Sequence, residues 1–208
     1  MSRQPFTGSC HCGKTRFLIY LTLPHTNLPE GTKPKSKTQR IYRCNCSVCH
    51  KSGIFHVRTH DFKNDFLLFS PTDPEQSLGD YRCNEGRLGF YFCKSCGGRC
   101  FSFAGASQVV KVKWADLGVS EEQKKRLVKG DEGSLEKDEV SVWKVVEKDP
   151  SISTYLSING HAIDQQQDGW DMAAFTKGNQ VLYLDLFRHG EPDCGEATLT
   201  KPFPQGSF

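Results

Sequence analysis

The chain has 208 residues, of which 37% are hydrophobic and 25% charged, with a formal net charge of +3 and a mean hydropathy of −0.53. That length supports one good core, and the longest apolar-rich run, Phe17 to Leu23, is too short to cross a membrane as a helix. The charge is too small to demand a polyanionic partner, so nucleic acid is not expected. Met1-Ser2-Arg3-Gln4-Pro5 leads into no apolar segment, and Gln205-Gly206-Ser207-Phe208 carries no prenylation or retention motif. A cytoplasmic compartment follows, with the nucleus as the alternative. Ten cysteines stand out against that compartment, because closely spaced thiols in a reducing environment favour metal over disulfide.

In chain order, Phe6-Thr7-Gly8-Ser9 leads into Cys10-His11-Cys12-Gly13, and Thr15 to Tyr20 reads as a strand rich in β-branched and aromatic residues. Pro24 to Arg40 is a Pro/Lys/Thr-rich insertion carrying Lys33, Lys35, Lys37 and Arg40. It lacks the aromatic residues that stack on bases and reads as a solvated loop. Ile41-Tyr42-Arg43 runs as a short strand into Cys44-Asn45-Cys46-Ser47-Val48-Cys49. Strands are expected at Gly53–Arg58, Phe66–Phe69, Leu88–Phe92, Phe101–Ala104 and Val109–Trp114. Many short strands separated by turn signals predict a mainly β, antiparallel core. Ser120-Glu121-Glu122-Gln123 has the form of a capping box, starting a helix that ends near Gly130. Residues 131–139 are charged and are expected to be mobile. Two further strands are expected at Tyr155–Ile158 and Val181–Phe187, with a loop between Asp164 and Asp171. The whole chain reads as one domain, a motif-bearing core over 6–114 and a C-terminal extension over 115–208 packing on it.

The cysteines supply the chemistry. On a strand, residues two apart share a face, so the C-x-C pairs Cys10/Cys12 and Cys44/Cys46 can each aim two sulfurs at one point, and a two-residue turn returns Cys49 to it. Cys10, Cys12, Cys93 and Cys96 together give four donors, enough for a closed tetrahedral site. Cys44, Cys46 and Cys49 give three, which leaves a fourth position open, as in catalytic zinc sites. Ligand pairing does not follow from spacing alone, but the four-plus-three division breaks no pair. Cys83, Cys100 and Cys194 lack partners at ligand spacing and read as ordinary thiols. His11 should face away from Cys10 and Cys12, His50 adjoins Cys49 too closely to share its ion, and His56 reads as a packed strand histidine.

Gly8-Ser9-Cys10-His11-Cys12-Gly13, Cys44-Asn45-Cys46-Ser47-Val48-Cys49-His50-Lys51-Ser52-Gly53 and Phe92-Cys93-Lys94-Ser95-Cys96-Gly97 together resemble the glutathione-dependent formaldehyde-activating enzyme (GFA/CENP-V) family, in order and spacing. The resemblance spans about residues 6 to 114, with a weaker echo at Ser157-Ile158-Asn159. It implies a β-tent fold of zinc-stapled antiparallel sheets, with one or two short helices in the insertions. It also implies two zinc ions per chain, one structural on Cys10, Cys12, Cys93 and Cys96 and one catalytic on Cys44, Cys46 and Cys49. His50, Cys100 and the insertions at 24–40 and 115–140 depart from the family pattern.

The activity so implied is that of a carbon–sulfur lyase joining a small thiol such as glutathione to an aldehyde such as formaldehyde, or the reverse. Ser47 and Lys51 are candidates to donate hydrogen bonds to the developing alkoxide. Two other readings are weighed against it. One is a non-catalytic zinc scaffold in which His50 or His56 completes the triplet. The other is a C–S bond enzyme acting on a larger electrophile, with the insertions building its pocket. The expected partners are a small thiol and a small carbonyl compound, no membrane, and a homo-oligomer if the chain self-associates.

Overall fold

A computed structural model of the chain describes residues 2–25, 38–83, 85–147, 154–187 and 197–203. Lys33, Lys35 and Lys37 of the basic insertion, and Cys194, lie outside these residues. The opening strands are β1 (Ser2–Ser9), β2 (Arg16–Leu23), β3 (Arg40–Cys44), β4 (His56–Arg58) and β5 (Phe66–Ser70). After them come β6 (Gly79–Arg82), β7 (Gly89–Phe92), β8 (Arg99–Ala104) and β9 (Ala106–Lys113). The remainder are β10 (Glu139–Val146), β11 (Tyr155–Asn159), β12 (Leu182–Leu184) and β13 (Ala197–Thr198). Helices are short: α1 (Ser47–Ser52), α2 (Pro74–Ser77), α3 (Glu121–Leu127) and α4 (Met172–Lys177). The fold is mainly β, as the strand-rich sequence predicts.

The strands form two sheets. One is five-stranded and antiparallel, in the order β1-β2-β5-β10-β9. The other is eight-stranded, in the order β13-β12-β3-β4-β11-β8-β7-β6, antiparallel except where β12 runs parallel to β3. The core lies between them. Phe17, Ile19, Leu21, Phe66, Leu68, Trp143 and Val145 of the first sheet meet Ile41, Val57, Tyr91, Phe101, Phe103, Leu156 and Ile158 of the second.

The first sheet is covered on its other face as well. Leu18, Tyr20, Leu67, Phe69 and Val142 pack under Trp114, Leu117, Leu127 and Val128. Burial on both faces is why Phe17–Leu23 and Phe66–Phe69 are continuous apolar runs instead of alternating ones. The covering segment is held by the capping box: Ser120 Oγ accepts from the Gln123 amide, and the Gln123 side chain accepts from the Ser120 amide. The helix ends at Leu127, and Gly130 (φ 87°) turns the chain beyond it.

Several expected boundaries shift, each for a local reason. Val181–Phe187 is a strand only at Leu182–Leu184, because the amides of Leu186 and Phe187 donate to Asn45 Oδ1 instead of to a neighbouring strand. Gly53 sits in the left-handed region (φ 61°) as the C-cap of α1, so the strand after it begins at His56, not Gly53. The charged stretch 131–139 is held in a 3₁₀ turn over Glu132–Leu135. Its Ser134 is buried and its carbonyl accepts from Trp114 Nε1 at 3.2 Å. Glu139–Val146 is a strand that the sequence reading omits, although Val140, Val142, Val145 and Val146 are β-branched. It is interior to the first sheet, and β11 is interior to the second, so residues beyond 115 supply central strands of both.

Trp143 is the largest fully buried side chain, edge-on to Phe66 and Phe103 at centroid distances of 6.3 and 5.0 Å. Its Nε1 has no hydrogen-bond partner among the described residues. Trp143→Ala is therefore expected to cost about 3–5 kcal/mol in urea denaturation, and Trp143→Phe far less, since no hydrogen bond is lost with the indole.

Candidate metal centres

Cys10 and Cys12 lie in the turn from β1 to β2, and Cys93 and Cys96 in the turn from β7 to β8. The first pair is thus placed by a turn and not by the alternation of a strand. Its backbone is fixed by Gly13 N–H donating to the Cys10 carbonyl (2.9 Å) and by the Cys10 amide donating to the Thr15 carbonyl (3.0 Å). The second turn repeats the device, with Gly97 N–H on the Cys93 carbonyl and Cys93 N–H on the Gly98 carbonyl. Gly13 and Gly97 both have positive φ, 74° and 71°, a conformation glycine adopts without strain.

The sulfur atoms of these four residues all lie within 4.8 Å of one another. Cys10–Cys12 and Cys12–Cys93 are each 3.6 Å apart. A tetrahedron of about 2.3 Å metal–sulfur bonds has edges of about 3.8 Å, so the cluster has the size of a four-thiolate metal site. The Thr15 amide donates to Cys10 Sγ at 3.2 Å. Backbone amides of Cys12 and Gly98 pull the Cys96 thiol down to about 6, toward the ligating thiolate form.

The second group is Cys44, Cys46 and Cys49, whose sulfurs also lie within 4.8 Å of one another. The path that gathers them differs from the strand-and-turn expectation. Cys44 is the last residue of β3, Cys46 is the N-cap of α1, and Cys49 lies inside that helix. Cys44 and Cys49 are buried, whereas Cys46 is partly exposed, so the group faces solvent at Cys46. Three adjacent sulfurs do not ionise independently. Hydrogen bonds from Cys44 and Cys49, with help from the amides of Cys49 and Val48, hold Cys46 down to about 2 as the thiolate. The same hydrogen bonding pushes Cys44 up to about 12 and Cys49 higher still. A divalent cation would remove this conflict by stabilising all three thiolates at once.

His56 touches the group. Its Nε2 is 3.1 Å from Cys49 Sγ and its Nδ1 is 2.9 Å from Ser157 Oγ. With Cys49 as a ligating thiolate, Nε2–H would donate to the sulfur and Nδ1 would accept from Ser157 Oγ, which would orient a metal ligand. Burial lowers the His56 pKa to about 4, which keeps the ring neutral at pH 7. His56 does not join the set of mutually close donors. His50, the other histidine candidate for a fourth ligand, is exposed, as are His11, Ser47 and Lys51. Among the described residues no fourth histidine, cysteine or carboxylate joins the three sulfurs. Cys83 is partly exposed, and Cys100 is buried with its thiol pushed up by desolvation.

The sequence reading missed Asn45, which lies between two of the ligand candidates. Its Nδ2 donates to buried Asp185 Oδ1 at 2.8 Å, and its Oδ1 accepts from the amides of Leu186 and Phe187 at 2.7 and 2.9 Å. A segment some 140 residues downstream is thereby pinned beside the triad, with Leu186 and Phe187 exposed. Only the polar residue inside C-x-C signalled this role. Tyr42 and Tyr155 were missed likewise: their hydroxyls meet at 2.6 Å, and the Tyr42 ring stacks on His56 at 4.5 Å.

No protein-family model matches the chain. A crystallographically solved protein of Rhodobacter sphaeroides, a structural-genomics target, is similar over 78% of this chain and 91% of its own. It shares 14% identity, with a TM-score of 0.37. Among the described residues no helix is long and apolar enough to cross a membrane.

The two clusters differ in what they join. Cys10, Cys12, Cys93 and Cys96 tie a turn of one sheet to a turn of the other, whereas Cys44, Cys46 and Cys49 sit in a small peripheral cluster with Tyr42 and Leu182. Cys96→Ser and Cys46→Ser are each expected to remove about one metal ion per chain by elemental analysis. Cys96→Ser is expected to lower the thermal midpoint far more. His56→Phe, which keeps the ring but loses the hydrogen bond to Cys49, is expected to weaken metal binding at the triad by about 10–100-fold in competition with a chromophoric chelator.

Proposed function

We propose that the protein is a zinc-dependent carbon–sulfur lyase of the glutathione-dependent formaldehyde-activating type, adding a small thiol to an aldehyde or releasing it. The observation that carries this reading is the donor count. Four thiols form one closed set, while Cys44, Cys46 and Cys49 form a set of three with no fourth donor among the described residues. All-sulfur donor sets suit zinc among the abundant divalent ions, and three ligands are the pattern of a zinc site that keeps a position for substrate. The cysteine motifs shared with that family support the same assignment.

Bound there, zinc would accept the sulfur of an incoming thiol and hold it as the thiolate at neutral pH. The residues of this chain do the rest. Cys44 and Cys49 are anchored in buried backbone, and His56 fixes the direction of the Cys49 sulfur through its hydrogen bond. The partly exposed Cys46 side is where a small thiol has access. Leu186 and Phe187, held by Asn45, offer an apolar lip that favours a carbonyl compound over water. In the forward direction a bond forms between the thiol sulfur and the carbonyl carbon. The carbonyl π pair moves to oxygen, and the proton released by the thiol neutralises that oxygen, giving an S-hydroxymethyl-type adduct. Holding both reactants in one cleft replaces a bimolecular encounter with an intramolecular one, worth several kcal/mol in favourable cases.

The scaffold alternative requires a fourth protein ligand. His50 is exposed and His56 lies outside the donor set, so neither supports it. Zinc-edge X-ray absorption on protein with the four-cysteine site intact tests the proposal. Subtracting the closed site should leave three sulfurs and one light, exchangeable ligand, replaced by sulfur when glutathione is added. A fully sulfur- or nitrogen-saturated second zinc, unchanged by thiol, would overturn it. Cys46→Ser is further expected to abolish turnover while leaving the circular dichroism spectrum near that of the unaltered protein.

A further inference from the structure

The two edges of the five-stranded sheet are treated differently. β1 carries Pro5, and the chain itself satisfies its outer side: the Thr7 amide donates to Gln167 Oε1, the Thr7 carbonyl accepts from the Asp164 amide, and the Pro5 carbonyl accepts from Gln123 Nε2. β9, at the other edge, pairs only with β10 among the described residues, and no other hydrogen bond among them reaches its backbone. It runs for eight residues, Ala106–Lys113, without a proline and without a break in its register against β10. Shortness, proline and a bulge are the usual protections of a free edge, and β9 has none of them. Val110 and Val112 pack under the covering segment, so Ser107, Val109, Lys111 and Lys113 point to the other face. Val109 is 55% exposed, more than any other large hydrophobic residue among those described.

Lysine on an edge strand is itself a device against pairing, and β9 carries Lys111 and Lys113. Both stand toward one end of the strand, and neither forms an ion pair among the described residues. Toward the other end Ser107 Oγ donates to Glu75 Oε1 at 3.2 Å. That contact brings an exposed carboxylate of α2, also without an ion pair among the described residues, beside the face that bears the lysines. One face of the strand is thus negative near Ser107, apolar at Val109 and positive at Lys111. Turned through a half rotation, such a pattern is complementary to itself.

We propose that β9 is the contact strand of a two-fold dimer of this chain, pairing antiparallel with β9 of a second copy about Val109. A two-fold axis perpendicular to the sheet sets residues of the same face opposite one another. Centred on Val109, the register opposes Val109 to Val109 and Lys111 to Ser107, which places Lys111 beside the partner's Glu75. Centring on Lys111 would oppose two like charges, which is destabilising. The Val109 pair removes apolar surface from water, and the free amides and carbonyls of both edges gain partners. Two five-stranded sheets become one continuous sheet. The cysteine triad lies on β3 and α1, away from this edge, so the dimer does not depend on the lyase reading.

Sedimentation velocity on the full-length protein tests this between about 1 and 100 μM, where the mass should rise toward twice the 23.4 kDa of one chain. Val109→Asp, which sets two carboxylates against each other at the axis, should weaken association at least about tenfold. Glu75→Lys and Lys111→Glu should each do the same, because every contact occurs twice across the axis and one reversal creates two like-charge pairs. The double variant Glu75→Lys/Lys111→Glu should return to within about threefold of the unaltered protein. That rescue also shows that the charge variants fold. Amide hydrogens of 106–113 should exchange more slowly at the higher concentration. A chain that stays monomeric across this range overturns the proposal. So does a dimer indifferent to Val109→Asp, which uses another face, or a charge variant that the double swap does not rescue.

Discussion

Four sulfurs drawn to one point hold the turn between β1 and β2 against the turn between β7 and β8, and the rest of the architecture depends on that meeting. Cys12 and Cys93 are 81 positions apart in the chain and 3.6 Å apart in space. The two turns belong to different sheets, so the cluster joins the sheets at one end while the Phe66, Phe101 and Trp143 aromatic contacts join them through the middle. Metal binding at such a site counts as folding energy, because the unfolded chain has no preformed site to compete with it. Closing a long loop costs little more entropy than closing a short one, so the wide separation of the two pairs is no obstacle.

The triad is built from the same side chain but in different surroundings, and the consequences differ. It is gathered locally by the end of β3 and the start of α1, within six residues, and its packing partners form a small satellite of the main core. Among the described residues it has no fourth protein donor, and a site that contributes little to global packing can lack one without loss of the fold. Crowded thiols that hydrogen-bond to one another, with Cys46 favoured as thiolate, are an arrangement that could hold a cation. His56, Ser157, Tyr42 and Tyr155 line the same face of the eight-stranded sheet, so the region around the triad is polar and aromatic where the opposite face of the sheet is apolar core. Arg40 and Arg58, paired at the far end of this face, give it a positive charge that no described residue neutralises.

The sequence disclosed the local features well. The capping box at Ser120 and Gln123, the apolar runs of β2 and β5, and the C-x-C and C-x-x-C motifs are all patterns of residues near one another in the chain. Spacing alone left other partitions of the cysteines open; the four-plus-three division, which breaks no pair and which the family resemblance also implies, is the one whose sulfurs the structure brings together. Features that depend on distant partners were not legible. Asn45 gains its role from Asp185, Leu186 and Phe187, whose hydrogen bonds to it lie outside the ladder of β12. His56 reads as an ordinary strand histidine until Ser157 on β11 and Cys49 on α1 arrive on either side of its ring.

By itself, then, the sequence determined that the chain is mainly β, that its cysteines form two clusters of unequal donor number, and where one helix begins. Each of these is encoded in spacing, period or composition over a few residues. Only the tertiary structure decided that β10 and β11 are interior strands, that Cys46 caps a helix instead of extending a strand, and that Arg40 opposes Arg58 at the other end of β3 from Cys44. These outcomes depend on which strands pair and in what register. Pairing is settled by burial of both sheets against a common core, a property of the whole chain that no short stretch contains.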